Sequence, residues 1–388
     1  MNWRQICKRE IGQLFITDRR RAVFLFGASL AYLILFSLLY STHTIKAVPL
    51  IVCDEDQTQF SRTLIQAFDD SERFQIVDYA STQTEMEQAL QEKEGYAAVH
   101  IPRKFAQDAK AGRSSTVLLM ADGANILIAN TVTTAAQEII AAFSQETGTR
   151  LTETNAGQMP AMAENKTAPV EFRLRVLNNP TQSYLYFFVL GLSMAAFQQG
   201  IFLAIGASIQ NEYRHSEELS QAHPLSILTG KLLPYWISAT LTFFLTILAA
   251  IYFFSIPGRA SLPSLLLLSS TFNFAAVSLG AFLASLCQSE LTFTRLSIAY
   301  TVPAFVLSGY TWPLDAMDRA GRLISYTFPL SYFSNTLREL LLAGYSPVLY
   351  QNSVILLLIG TGLFSMTIMC FSHKIKAVHN KAGVPHQP

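Results

Sequence analysis

The sequence VPAFVLSGYTWPLDAMDRAGRLISYTFPLSYFSNTLRELLLAG occupies residues 302–344 and decides how the rest of the chain is interpreted. It begins inside an apolar segment, leaves that segment at Trp312 and Pro313, and continues as two short amphipathic pieces separated by Pro329. Another long apolar segment follows it. This pattern is typical of backbone that dips toward a bilayer without crossing it, which lipid tolerates only where protein or water satisfies the freed backbone groups.

The composition of the chain favours a membrane protein with one substantial polar portion. Of its 388 residues, 51% are hydrophobic and 14% are charged, and the mean hydropathy is +0.29. The formal net charge of +1 provides no basic field for a nucleic acid. Cys7, Cys53, Cys287 and Cys370 show no metal-ligand spacing, so we interpret all four as structural thiols.

The start of the chain predicts two elements. Residues 1–18 form a cytoplasmic amphipathic helix whose apolar stripe lies in the lipid headgroup region; a helix docked on protein is the alternative. Residues 22–41 carry no charge and are long enough to span a bilayer as the first transmembrane helix. The stripe consists of Trp3, Ile6, Cys7, Ile11, Leu14 and Phe15, and the opposite face of Arg4, Lys8, Arg9 and Glu10.

Residues 42–183 are predicted to form an extracytoplasmic α/β domain, because strand-like and helix-like segments alternate there and favour a partly parallel sheet. The run Asp54, Glu55 and Asp56 is interpreted as a polar turn that caps the next helix, with a cation site as the alternative. The predicted strands are residues 47–54, 73–79, 95–102 and 115–123, and the predicted helices are 61–70, 84–93, 104–112 and 124–149.

Residues 184–371 are predicted to form a five-helix transmembrane domain, followed by a cytoplasmic tail at 372–388. With the first span this gives six crossings. Short segments on one side hold 12 Lys and Arg residues and those on the other hold 4, a bias that predicts cytoplasmic termini. The five predicted spans are residues 184–208, 232–254, 262–286, 296–312 and 348–371.

The sequence contains no motif of an enzyme. HExxH, GxSxG and GxxxxGK[ST] are all absent, and the seven histidines are scattered. The central parts of the predicted spans carry no charge, whereas ion-coupled carriers usually keep one there. We therefore expect a transport protein without catalytic residues, metal or cofactor, driven by a separate subunit. An ion-coupled secondary carrier and a non-transporting scaffold that presents the external domain are the alternatives.

The longest internal segment on the predicted cytoplasmic side is residues 209–231. A rigid helix between two spans would act as a lever, because a partner that presses on it would move both spans; an inert connecting loop is the alternative. The residues predicted to couple this loop to an ATPase are Glu212, Tyr213, Arg214, Glu217, Glu218 and Lys231.

Three stretches resemble the permease subunits of the ABC transmembrane type-2 family. They are VPLIVCDEDQTQFSRTLIQAF at residues 48–68, RVLNNP at 175–180 and the closing stretch at 307–344. Where many members have Gly-Thr in the coupling loop, this chain has Ser216 and Glu217. The closing signature of the family is matched by Ser308, Gly309, Pro313, Pro329, Leu330, Ser331, Tyr332, Leu337, Arg338 and Gly344.

The resemblance implies a permease subunit of an ATP-driven exporter of a hydrophobic or amphiphilic substrate, such as a drug or lipid, in a bacterial inner membrane. ATP and Mg would be bound by a separate ATP-binding subunit, and the further partners implied are a second or sister permease and a periplasmic membrane fusion protein. The external re-entrant segment 313–345 would form the outer gate. Its predicted gate residues are Gly309, Trp312, Pro313, Pro329, Tyr332, Arg338 and Gly344, with nearby aromatic residues that contact either cargo or the partner permease.

Overall fold

The computed structural model divides the chain into two compact units. One unit, called the membrane unit below, comprises Met1–His43 and Val176–Pro388; the other, called the α/β unit, comprises Thr44–Arg175. The fold is mostly helical. The structure describes residues 3–40, 45–111, 113, 115–156, 178–179, 183–214 and 223–382.

The membrane unit begins with helix α1, Trp3–Gly12, a π-helical turn, Gln13–Thr17, and helix α2, Arg19–Leu39. The face of α1 that packs against protein differs from the predicted stripe. Ile6, Glu10 and Leu14, one helical turn apart, are all fully buried. Other members of the stripe, Trp3, Ile11 and Phe15, are exposed. The prediction that Glu10 lies opposite the apolar stripe is therefore wrong, because this carboxylate is buried on the same side as Ile6 and Leu14.

The α/β unit contains a four-stranded sheet with the strand order β2-β1-β3-β4. Strands β1, β2 and β3 are parallel neighbours and β4 is antiparallel to β3, which confirms the predicted partly parallel sheet. Its elements are β1, Val48–Asp54; α3, Gln59–Asp69; β2, Phe74–Ala80; α4, Gln83–Gln91; β3, Ala97–Ile101; α5, Phe105–Lys110; β4, Leu118–Ala121; and α6, Ile126–Ala156.

The two faces of β1 contribute to different hydrophobic cores, because successive side chains of a strand point to opposite sides. Leu50 and Val52 lie in a core shared with α3 and α6. Ile51 and Cys53 lie in a smaller core with Met86 of α4. The carboxyl end of β1 therefore carries buried side chains on both faces of the sheet.

The second part of the membrane unit contains a π-helical turn, Leu185–Val189, followed by seven α-helices among the described residues. Helix α7 contributes several of the fully buried side chains of the unit, among them Phe197 and Phe202. The helices are α7, Leu190–Arg214; α8, Pro224–Phe254; α9, Leu262–Leu286; α10, Glu290–Val306; α11, Arg319–Ser325; α12, Pro329–Ala343; and α13, Leu349–Ala382.

Six of the described helices are long and apolar enough to cross a membrane, and five of them coincide with predicted spans. The sixth is residues Ile126–Gly148 of α6, in the α/β unit, where Val132 and Ala136 are buried against the sheet core. The predicted span 296–312 differs from the structure. Helix α10 has only 17 residues and ends at Val306, which gives it a length of about 26 Å, at the lower limit for spanning.

The predicted coupling loop is largely helical where the structure describes it. Helix α7 continues to Arg214 and α8 begins at Pro224, so residues 209–214 and 224–231 are helical turns rather than loop. His223 caps α8, with its Nδ1 accepting the backbone N–H of Leu225 at 3.3 Å. Residues 215–222 lie outside the described residues.

The predicted re-entrant segment is broken as the sequence indicates. A short 3₁₀ turn, Leu314–Ala316, precedes α11, and Pro329 occupies the first turn of α12. A proline is tolerated there because the first turn of a helix has no intrahelical partner for its N–H. The segment therefore consists of two separate short helices, α11 and α12, before the long final helix.

Candidate functional site

A buried ion cluster joins α1, α7 and α8, with Lys231 at its centre. The ammonium nitrogen Nζ of Lys231 lies 2.6 Å from Glu10 Oε1 and 2.7 Å from Glu212 Oε2. It also donates to Ser208 Oγ at 3.0 Å, and that hydroxyl donates to Glu10 Oε2 at 2.7 Å. Lys231 and Glu10 are fully buried and Glu212 is 5% exposed. Helix α1 thus shares one ammonium group with the consecutive helices α7 and α8, although Glu10 and Lys231 are 221 positions apart.

Two arginines complete the ion cluster at its edges. Arg9 Nη2 donates to Glu212 Oε2 at 2.7 Å. Arg21, at the start of α2, has its Nη1 3.8 Å from Glu10 Oε2 and its Nε 3.1 Å from Asp18 Oδ2. Asp18 also pairs with the exposed Arg20, whose Nε lies 3.0 Å from Asp18 Oδ1. The buried carboxylates Glu10 and Glu212 thus each face cations, which is the condition under which buried charges are tolerated.

The electrostatic surroundings keep Glu10 ionised. Burial alone would raise its pKa, but the Lys231 ammonium, the Ser208 hydroxyl and Arg21 together hold that pKa below its ordinary value of 4.5. The stability that Glu10 contributes is therefore complete above its unfolded-state pKa and is lost as the pH falls through the lower folded-state pKa. At neutral pH the ion cluster is fully formed.

The structure places two of the predicted coupling residues, Glu212 and Lys231, inside this ion cluster rather than on a solvated loop. The side chains of Tyr213 and Arg214, and residues Glu217 and Glu218, lie outside what the structure describes. Two signals in the sequence mark single members of the ion cluster, although neither shows which residues pair. One is a carboxylate at Glu10, spaced one turn from apolar Ile6 and Leu14; the other is a lone lysine inside the otherwise apolar helix α8.

A second cluster lies near the other end of α7 and contains Arg338, Phe187 and Tyr310. The guanidinium carbon of Arg338 is 4.9 Å from the ring centre of Phe187 and 4.5 Å from that of Tyr310. Arg338 also donates to the Tyr310 carbonyl at 3.3 Å and to Asn335 Oδ1 at 2.9 Å. Tyr310 rests on α7 at Gly191, where an added Cβ would lie 2.3 Å from the tyrosine ring.

The arginine–aromatic cluster and the ion cluster mark opposite ends of the membrane unit. Gly191 and Ser208 are 17 positions apart on α7, which corresponds to about 26 Å along a helix axis. Two glycines shape the backbone at the arginine–aromatic end: Gly309 has φ +79° and Gly344, which caps α12, has φ +83°. Both conformations are left-handed and favour glycine.

The other predicted gate residues have diverse surroundings. Trp312 is 58% exposed, Pro313 precedes the 3₁₀ turn, Pro329 is buried, and Tyr332 donates from its hydroxyl to the Tyr326 carbonyl at 2.9 Å. Among the nearby aromatic residues, Tyr310, Phe328 and Phe333 are buried within this chain. Tyr310 also lines a cavity.

A cavity of about 870 Å³ opens beside the arginine–aromatic cluster. Its walls combine aromatic rings with polar groups, so it offers both apolar surface and hydrogen-bonding partners. The lining includes Tyr326, Tyr332, Asn335, Arg338, Glu339 and Asn352. An amphiphilic molecule would match this combination of surfaces.

The chain is similar in sequence to several bacterial permeases. The probable multidrug ABC transporter permease YbhR of Escherichia coli is 23% identical over 363 residues, covering 92% of this chain and 94% of that protein. The inner membrane transport permease YhhJ of the same organism is 24% identical over 363 residues, covering 88% and 92%. The probable multidrug ABC transporter permease YbhS is 29% identical over 139 residues, and this match spans only 37% of that protein's length.

The model of the family described as ABC-2 family transporter protein matches residues 21–369, which is nearly the whole chain. This range begins at Arg21 of the ion cluster and includes the closing signature and the α/β unit. It also covers all or nearly all of each described helix that is long and apolar enough to span. The chain is therefore a multi-pass membrane protein that belongs to the ABC-2 transporter family.

Proposed function

We propose that this chain is the permease subunit of an ATP-driven exporter that moves a hydrophobic or amphiphilic substrate out of the cytoplasm or the inner leaflet. The observation that carries the proposal is the ion cluster, in which Lys231 connects Glu10 of α1 with Glu212 of α7. A separate ATP-binding subunit would supply the energy. This chain itself would bind neither ATP nor Mg and would catalyse no reaction.

The ion cluster would work as a rigid joint. Displacing α1 while its contacts hold requires Lys231 and Glu212 to follow, because separating any one partner would leave a buried charge unpaired. Since Lys231 belongs to α8 and Glu212 to α7, both long helices would move together. An ATPase that presses on α1 or on the segment between α7 and α8 would thus act on two spans at once.

The proposed orientation places the ion cluster at the cytoplasmic side and both termini in the cytoplasm. Its support is the Lys and Arg bias, which concentrates positive charge at this end of the helices. The α/β unit and the arginine–aromatic cluster would then be extracytoplasmic. In this arrangement α11 and α12 form the outer gate, and the α/β unit offers a surface to a membrane fusion protein.

The proposed substrate class is supported by a mostly apolar groove of about 690 Å³ beside α1. Its wall includes Leu232 and Leu233, which directly follow the ion-cluster lysine in α8. A groove of this kind suits an amphiphilic molecule that enters from the lipid. Its lining includes Trp3, Leu232, Leu233, Trp236, Phe274 and Phe364.

A second candidate function, an ion-coupled secondary carrier, is favoured by one observation: Glu10 and Glu212 are buried carboxylates. Against it, each carboxylate is already paired with a cation, and both lie near helix ends rather than at the middle of a span. Transport driven by a proton gradient in vesicles without ATP would identify such a carrier. The exporter requires ATP under the same conditions.

The coupling role is tested by the ATPase activity of the purified complex with its ATP-binding subunit. We expect the double variant Glu212→Ala with Arg214→Ala to lower that activity several-fold, because Glu212→Ala removes a carboxylate that holds both Lys231 and Arg9. The measurement compares hydrolysis rates at equal amounts of intact complex, determined by size-exclusion chromatography.

The matched control is Glu290→Ala with Arg295→Ala, which removes one glutamate and one arginine from the start of α10. Neither residue is buried. We expect the control complex to hydrolyse ATP at close to the wild-type rate. Equal rates for the two double variants would refute the assignment of the segment from α7 to α8 as the coupling element.

A further inference from the structure

The α/β unit brings together three potential metal ligands that are far apart in the sequence. Cys53 Sγ, a Glu55 carboxylate oxygen and a His100 ring nitrogen all lie within 4.8 Å of one another. Cys53 is fully buried, whereas the other two side chains are partly exposed. None of the three residues takes part in the clusters of the membrane unit.

The parallel sheet explains why these side chains meet. Cys53 of β1 and His100 of β3 are register partners, so their side chains leave the same face of the sheet. Glu55 extends the pairing, because its backbone N–H donates to the Ile101 carbonyl at 3.0 Å, and it lies two positions beyond Cys53 on the same face. The site sits at the carboxyl ends of two parallel strands, where open α/β sheets bind ligands.

The neighbouring acidic residues have different roles. Asp54 accepts hydrogen bonds from the backbone N–H groups of Asp56 and Gln57, and Asp56 accepts one from Thr58 Oγ1 at 2.6 Å. These contacts confirm the predicted polar turn before α3. They leave Glu55 as the member of the acidic run that faces Cys53 and His100.

The histidine carries an independent indication of a missing ligand. His100 Nε2 is buried and has no hydrogen-bond partner among the described residues, which is a costly condition for a polar atom. It lies 3.8 Å from Glu55 Oε2. Donor atoms around a tetrahedral zinc ion are about 3.3–3.6 Å apart, so small side-chain rotations would close the group around an ion.

We propose that Cys53, Glu55 and His100 bind a divalent transition metal ion of the zinc type, with water as a fourth ligand. A set of one thiolate, one imidazole and one carboxylate is typical of zinc sites, whereas calcium and magnesium favour oxygen ligands. Binding replaces the thiol proton of Cys53, which is released to solvent as the sulfur–metal bond forms. Arg103, whose Nε lies 3.4 Å from Glu55 Oε2, is 81% exposed and can turn away from the incoming ion.

Cobalt provides the test, because a cysteine thiolate bound to Co²⁺ gives a charge-transfer absorption band. The full chain, purified in detergent with a tag that lacks histidine, is titrated with Co²⁺. We expect one equivalent per chain to produce the band and Zn²⁺ to remove it. Cys53→Ser should abolish the band, whereas the matched control Cys370→Ser should retain it.

A second pair of variants covers the case in which Cys53→Ser does not fold. Glu55→Gln and His100→Gln should keep the band but weaken Co²⁺ binding by at least about tenfold. Losing a residue that only hydrogen-bonds to a metal ligand already costs about tenfold in affinity, and loss of a ligand itself should cost no less. A wild-type chain without the band would overturn the proposal. So would a band that persists in folded Cys53→Ser, or affinities unchanged in both of the other variants.

Discussion

Replacing Lys231 with methionine is expected to lower the free energy of unfolding of the membrane unit by about 3–5 kcal/mol, the usual cost of removing one partner from a buried ion pair. The substitution keeps an unbranched side chain of similar length but leaves Glu10 and Glu212 facing each other without the ammonium group that both contact. Arg9 and Arg21 remain, but only at the edges of the ion cluster.

The same substitution should release α1 from the helices it packs against. Cys7 of α1 is only partly exposed, so its alkylation rate reports whether the helix is docked. We expect faster alkylation of Cys7 in Lys231→Met than in the wild type, measured with Cys370 replaced by serine. Unfolding is followed by denaturant titration in detergent micelles.

The matched control is Lys8→Met, which makes the same chemical change at an exposed position of α1. It should leave both stability and the alkylation of Cys7 close to wild-type values. Combining Lys231→Met with Glu10→Gln should cost less than the sum of the single changes, because the two residues share one interaction. Additive costs, or a Lys231→Met chain as stable as the control, would show that the ion cluster does not hold α1.

Replacing Arg338 with methionine is the second change with a large expected effect, about 2–3 kcal/mol of stability. The guanidinium contacts the rings of both Phe187 and Tyr310, and a cation–π contact contributes about 0.5–2 kcal/mol depending on its exposure. Methionine also removes the donors to the Tyr310 carbonyl and Asn335 Oδ1. The turn at residues 307–313 would lose its attachment to α12.

The measurement is again denaturant unfolding, with Trp312 fluorescence as a local reporter of that turn in a chain whose other two tryptophans, Trp3 and Trp236, are replaced by phenylalanine. Arg319→Met, at an exposed position of α11, is the matched control and should change neither signal by more than a small amount. Arg338→Lys should fall between the wild type and the methionine variant, because lysine keeps the charge but not the planar, multiply donating group. A lysine variant as unstable as methionine would mean that charge contributes nothing at this site.

Much of the fold could be predicted because it depends on local patterns. Short strand-like runs between helix-like runs located the strands of the α/β unit, and the break at Pro329 separated α11 from α12. Periodicity could not tell which partner an apolar face would meet, since lipid and protein are both apolar. For this reason the face of α1 that packs on protein, with Ile6 and Leu14, could not be separated from the exposed Trp3 and Phe15.

The charged and metal-ligand clusters could not be predicted for a different reason. Glu10 and Lys231 are 221 positions apart, and Cys53 and His100 lie on separate strands, so no short spacing connects them. Only the packing of helices and the register of parallel strands bring them together. Part of the arginine–aromatic region could be predicted from the sequence, because the closing signature already included Arg338 and Gly309.

The central claim, that the ion cluster transmits the action of an ATPase to the far end of the helices, is tested most directly by one distance. Spin labels are placed at the exposed positions Lys8 and Trp312, with Cys7 and Cys370 replaced by serine, in the complex with its ATP-binding subunit. The distance distribution is measured without nucleotide and after trapping with ATP and vanadate. We predict a nucleotide-dependent shift that is lost in Lys231→Met; the same shift in both chains, or no shift in the wild type, would contradict the account.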